Sequence, residues 1–134
     1  MANALYGKGK EKLLTAAINI SSDTIKAALV SSAYTPDLAA HEFYTSISGS
    51  VLNTPQTLAS KTITLGVVDA ADILYTAVTS GSTAKAVVIY KDTGTGSTSA
   101  LLAYIDTITG FPLATNGGDV TITWDNGANK IFAL

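Results

Sequence analysis

The sequence predicts a mainly β domain, an antiparallel β-sandwich or partly open barrel carrying a short N-terminal helix. Three observations predict it. Seven segments have the length and composition of strands, and most of the stretches between them are short and rich in Gly, Asn, Asp, Ser and Thr, the residues that tight turns need. Hydrophobic residues make up 47% of the 134 and charged residues only 13%, enough apolar surface for a packed core. No cysteine is present, so neither a disulfide nor a thiolate-bound metal can staple the fold, and stability must come from the core or from assembly. The length fits a single domain spanning 1–134, with 1–17 as an N-terminal helical arm and 18–134 as the β domain.

In chain order, Asn3 to Ala17 places Leu5, Leu13, Ala16 and Ala17 on roughly one side with Lys and Glu between. It reads as a short amphipathic helix weakened by Gly7 and Gly9. Ser21-Ser22-Asp23 is a turn cluster, after which Thr24 to Val30 reads as a strand. Pro36-Asp37 can open a short helix through Phe43, with proline in its first turn. From Leu58 to Val68 the alternation Lys61-Thr62-Ile63-Thr64-Leu65 has the period-two pattern of a half-buried strand. Asp72 to Val78, Ala84 to Tyr90, Ala100 to Ile108, Val120 to Trp124 and Lys130 to Leu134 complete the set. Thr79–Ser82, Asp92–Ser97 and Asp125–Asn129 are too short for parallel crossovers, so the strands they join are expected to run antiparallel.

Charge narrows the function classes. The net charge is −2, and all eight basic residues are Lys. A nucleic-acid partner is therefore not expected, because binding needs a positive field and favours the bidentate arginine fork. No apolar run approaches the roughly 18 residues of a membrane-spanning helix, so no membrane partner is expected. The N-terminus lacks the apolar stretch of about 7 to 15 residues that marks a signal peptide.

Few residues offer chemistry. His41 is the only histidine and stands in Ala40-His41-Glu42-Phe43 with no nucleophile motif beside it. Asp69 and Asp72 are the nearest approach to paired glycosidase carboxylates, but both read better as flanking a strand boundary. Asp92-Thr93-Gly94-Thr95-Gly96-Ser97 lacks the Lys-Ser/Thr ending of a phosphate loop and reads as a hairpin loop. Asn116–Asp119 and Asp125–Asn129 are rich in oxygen without the spacing of a calcium loop. No catalytic residue, metal site or cofactor is expected, and the aromatic residues are spread one or two per strand as core packing requires. The apolar close Ile131-Phe132-Ala133-Leu134 must be buried in its own sheet or added to a neighbour's.

Three stretches carry a resemblance. They are Met1-Ala2-Asn3-Ala4-Leu5-Tyr6 with its Lys-rich helix, Ser22-Asp23-Thr24-Ile25-Lys26 before an apolar strand, and Gly118-Asp119-Val120-Thr121-Ile122-Thr123-Trp124-Asp125-Asn126-Gly127. Over nearly the whole chain their order resembles a family of small tailed-bacteriophage virion structural proteins. The shared motifs are structural signatures with no chemistry of their own. The resemblance implies a capsid cement or decoration protein in the virion, assembled in the host cytoplasm, with the major capsid protein and copies of itself as partners. A tail, baseplate or fibre component touching another tail protein or a host glycan is the alternative. If the N-terminal helix docks, Leu5, Tyr6, Lys8, Lys10 and Lys12 form the capsid interface, and deleting Met1 to Lys12 should weaken attachment while the β domain stays folded.

Overall fold

A computed structural model of the chain describes residues 3–124, 127 and 130–133. In chain order the elements are β1 (Ala4–Leu5), α1 (Gly7–Leu14), β2 (Ile25–Ser31), β3 (Val51–Thr57), β4 (Thr62–Thr64), β5 (Val67–Asp69), β6 (Ile73–Tyr75), β7 (Thr83–Lys91), β8 (Leu101–Ile105), β9 (Leu113–Ala114), β10 (Val120–Ile122) and β11 (Phe132–Ala133). Two single-turn 3-10 helices, Tyr44–Ser46 and Ser48–Ser50, precede β3.

The main sheet runs β1-β8-β7-β2-β3, and β9 pairs with β7 beyond the end of β8. Every pairing is antiparallel. The path ends at β1 on one side and β3 on the other without closing. The architecture is therefore sandwich-like and not a closed barrel. Two small sheets, β10-β6 and β11-β5-β4, supply the second layer.

The core follows from period-two alternation along β2 and β7. Ile25, Ala27 and Leu29 of β2, with Val87 and Ile89 of β7, point to one side, where they pack with Val68, Ile73, Tyr75, Ile122 and Phe132 of the small sheets. Ala28 and Val30, with Ala86, Val88 and Tyr90, point to the other, where Tyr6, Tyr34 and Ile47 cover them. Both faces of the central strands are thus buried. This explains why Ala27-Ala28-Leu29-Val30 and Ala86-Val87-Val88-Ile89-Tyr90 read as continuous apolar runs. The Tyr75 hydroxyl joins the layers, donating a 2.6 Å hydrogen bond to the Ala27 carbonyl where the β2–β3 register shifts.

The structure corrects several expectations. The N-terminal helix covers only Gly7–Leu14, and the residues before it form edge strand β1, with Leu5 opposite Ala103. Tyr6 is fully buried and its N–H donates to the Leu102 carbonyl, so the segment before α1 is built into the sheet, and the helix that follows packs against β8 through Gly9. Gly9 sits where a Cβ would lie 2.5 Å from the Leu101 carbonyl oxygen. The glycine that lowers helix propensity is what lets α1 lie against β8. Pro36 to Phe43 is not a helix. The Asp37 carboxylate holds the Ala39 and Ala40 N–H groups in one turn, and the chain then bridges from Phe43 to Ala100 on the sheet.

Leu58 to Val68 is not one strand either, because Leu65 and Gly66 form a two-residue turn between β4 and β5. Thr79–Ser82 connects strands that are not partners, since β6 pairs β10 while β7 pairs β2, β8 and β9. The last two strands also lie in different sheets, and most of Asp125–Asn129, like Leu134, falls outside the described residues.

Candidate functional site

Of the residues assigned to an interface, Tyr6 is unavailable. Its hydroxyl lies 2.7 Å from that of Tyr34, and the ring belongs to the core. Lys12 is turned toward its own chain, pairing with Glu42 and lying 5.2 Å from the Phe43 ring centre. Lys8 pairs with Glu11 one turn on, a surface contact of little energetic weight. Leu5 and Lys10 remain, and both line one groove.

That groove encloses about 700 Å³ between β1 and β11, each an outer strand of its own sheet. Leu5, Leu38, Ile131 and Phe132 line it together with Lys10 and Lys130, and among the described residues no carboxylate side chain does. Tyr6 directs its N–H at β8, so by strand alternation the Leu5 main-chain groups face the other way, toward the free edge.

In the β11-β5-β4 sheet the β4–β5 hairpin projects. Thr62, Ile63 and Thr64 are all exposed, and Leu65 at the turn is 98% exposed. Both central residues have positive φ, Leu65 at 52° and Gly66 at 78°, the signature of a type I′ turn. Gly66 meets that demand without cost, whereas Leu65 is held in a region that branched side chains avoid. The sequence pattern had suggested a half-buried strand through Leu65. The Gly66 that follows the Thr-Ile-Thr run was the signal for a hairpin tip.

His41 is engaged structurally. Its Nδ1 accepts the Asp37 main-chain N–H at 3.2 Å, so that nitrogen carries no proton and also accepts the Tyr34 hydroxyl at 2.8 Å. Tyr34 in turn accepts from Tyr6, making a one-way chain from core to surface. Burial pushes both phenols above their ordinary range, which disfavours their use as nucleophiles.

The remaining polar candidates are likewise turn and strand acceptors. Asp72 Oδ1 accepts the Trp124 N–H at 3.1 Å, and the indole Nε1–H donates to the Ala71 carbonyl. Asp92 accepts from the Gly94 N–H and pairs with Lys26 at 3.0 Å. These contacts hold its carboxyl below the usual range, and the loop it opens joins β7 to β8 as a hairpin connection should. Asn116 accepts the Gly118 N–H, and Asp119 accepts the Ala77 N–H. Among the described residues no three His, Asp or Glu side chains gather as metal ligands would, and no helix is long and apolar enough to cross a membrane. A scan against protein-family models finds no match, and neither does a search of curated proteins.

Proposed function

We propose that the chain is a non-enzymatic structural protein of a tailed-bacteriophage virion, a cement or decoration protein that binds the major capsid protein and stabilises the head shell. The observation that carries this reading is the placement of apolar surface. Leu14 is 84% exposed, Leu65 98%, Leu74 49% and Ile63 48%, on a chain with few charges to keep such groups apart in solution. Contact area is what this surface offers a partner. The resemblance of the three sequence stretches to small virion proteins supports the same role.

The test is to add the purified chain to shells assembled from the major capsid protein of the same phage. Co-sedimentation with the shells and a raised disruption temperature are expected. Shells that neither retain the protein nor gain heat resistance would refute the reading.

One observation favours the tail alternative. A second groove of about 620 Å³ holds Phe111 and Trp124 beside Thr107, Thr109, Thr123 and Asp106, a mixture of rings and oxygens that suits a sugar face. Trp124 is only 5% exposed, however, and its N–H is directed inward, which weakens it as a stacking platform. Binding to a glycan array that is lost in Phe111→Ala would favour this second reading.

A further inference from the structure

We propose that Tyr34 is a one-electron oxidation site, its phenolic proton passing to His41 as the electron leaves. The inference is independent of shell binding, because it concerns only groups inside this chain.

The first observation is where the phenols lie. Five of the six tyrosines, Tyr6, Tyr34, Tyr44, Tyr90 and Tyr104, belong to the layer that covers the outer face of the main sheet. The ring centres of Tyr34 and Tyr104 are 6.1 Å apart and those of Tyr44 and Tyr90 4.9 Å, while the Tyr6 hydroxyl meets that of Tyr34. The chain has no cysteine and one methionine, so apart from Trp124 the phenols are its readiest electron donors.

The second observation is the base. A phenol that loses an electron becomes a strong acid, and unless its proton leaves at once a positive charge is stranded in a buried site. A hydrogen-bonded base removes that cost. His41 is the one imidazole of the chain, and its unprotonated Nδ1 accepts the Tyr34 hydroxyl at 2.8 Å. The Tyr75 hydroxyl and the Trp124 indole N–H instead meet the main-chain carbonyls of Ala27 and Ala71, and an amide oxygen does not keep a proton at neutral pH. Tyr6 donates to Tyr34, a phenol and not a base.

One electron passes from Tyr34 to an outer-sphere one-electron acceptor, the phenolic O–H bond breaks, and an N–H bond forms at His41 Nδ1. Tyr34 becomes a neutral phenoxyl radical, His41 an imidazolium, and the acceptor is reduced by one electron. The positive charge thus moves from a residue that is 4% exposed to a half-buried imidazole in the Asp37 turn, where the carboxylate supplies opposite charge. The Asp37 N–H, 3.2 Å from Nδ1, loses its acceptor until the electron returns. The Tyr6 hydroxyl continues to donate to the phenoxyl oxygen and steadies it. A hole formed on Tyr6 or Tyr104 has Tyr34 as its neighbour and settles there, because the proton acceptor is there.

Flash-generated tris(bipyridine)ruthenium(III) serves as the acceptor in the test, because it takes one electron without needing a binding site. Freeze-quenched samples are read by electron paramagnetic resonance. The unmodified chain should give a phenoxyl signal. Tyr34→Phe, which keeps the ring, should lower that signal at least about tenfold, and His41→Gln, which keeps a hydrogen-bonding group but no base, should slow its formation at least about tenfold. Tyr44→Phe, outside the hydrogen-bonded chain, should leave the signal unchanged. Radical formation in the unmodified chain should also slow in heavy water, since a proton moves with the electron. An undiminished signal in Tyr34→Phe, or equal rates in His41→Gln and the unmodified chain, would overturn the proposal. Should His41→Gln not fold, Tyr34→Phe and the heavy-water rate decide it.

Discussion

The Tyr6 hydroxyl lies 2.7 Å from the Tyr34 hydroxyl, inside the layer that covers the outer face of the main sheet. Through that bond the N-terminal segment and the loop after β2 are locked to each other and to His41. Removing Met1 to Lys12 would therefore strip β1 and a fully buried ring from the core. The expected outcome is loss of cooperative unfolding in urea, not a folded domain with a missing arm. Tyr6→Phe keeps the ring and removes one hydrogen bond, which should cost about 1 kcal/mol, while Tyr6→Ala should cost about 3–5 kcal/mol by equilibrium denaturation.

Gly9 gives a second test of the same integration. In an exposed helix, Gly→Ala stabilises by up to about 1 kcal/mol. Here the new methyl would press on the Leu101 carbonyl oxygen and lie 3.0 Å from the Leu102 Cα. Gly9→Ala should instead destabilise, by about 1–3 kcal/mol, read as a lower urea midpoint with an unchanged slope.

How far the sequence revealed the fold depends on which residues carry each element. The central strands were legible because Ala27 to Val30, Ala86 to Tyr90 and the start of Ala100 to Ile108 are buried on both faces and read as apolar runs. The edge strands were not. β1 is two residues long, and β3 contains Pro55 and polar residues that only an outer strand tolerates. The Pro36–Phe43 turn imitates a helix start because Asp37 caps N–H groups in both structures. The engagement of His41 and Asp72 could not be read locally either, since the Trp124 amide that Asp72 meets is 52 residues away. The hairpin tip was hidden by its own alternation, which fits a half-buried strand as well as a projecting one.

Stability should have a broad plateau with two shoulders. The Asn19 N–H lowers the Asp23 carboxyl, with Lys91 assisting, and the Gly94 N–H and Lys26 lower that of Asp92. Carboxyls lowered in the folded state contribute fully above their ordinary value of 3.8, and the contribution fades as pH falls below it. Burial raises Tyr6, Tyr75 and Tyr90 above the ordinary 10.0, so the unfolded chain ionises first and stability falls as pH climbs past that value. Thermal melts across pH should show decline only beyond these two limits. Lys91→Met and Lys26→Met should flatten the acid shoulder.

Leu65→Asn separates contact from stability. Asn accepts the left-handed backbone and water alike, so this variant should be more stable than the original by about 0.5–1 kcal/mol. A stabilising change that weakens association would mark Leu65 as retained for a partner. A destabilised variant would mean that the side chain supports the hairpin itself.

Electron cryomicroscopy of the intact phage particle tests the central claim most directly. The account expects copies of this domain at symmetric positions on the head shell, seated across neighbouring capsid subunits. A particle in which the domain is nowhere present would contradict it.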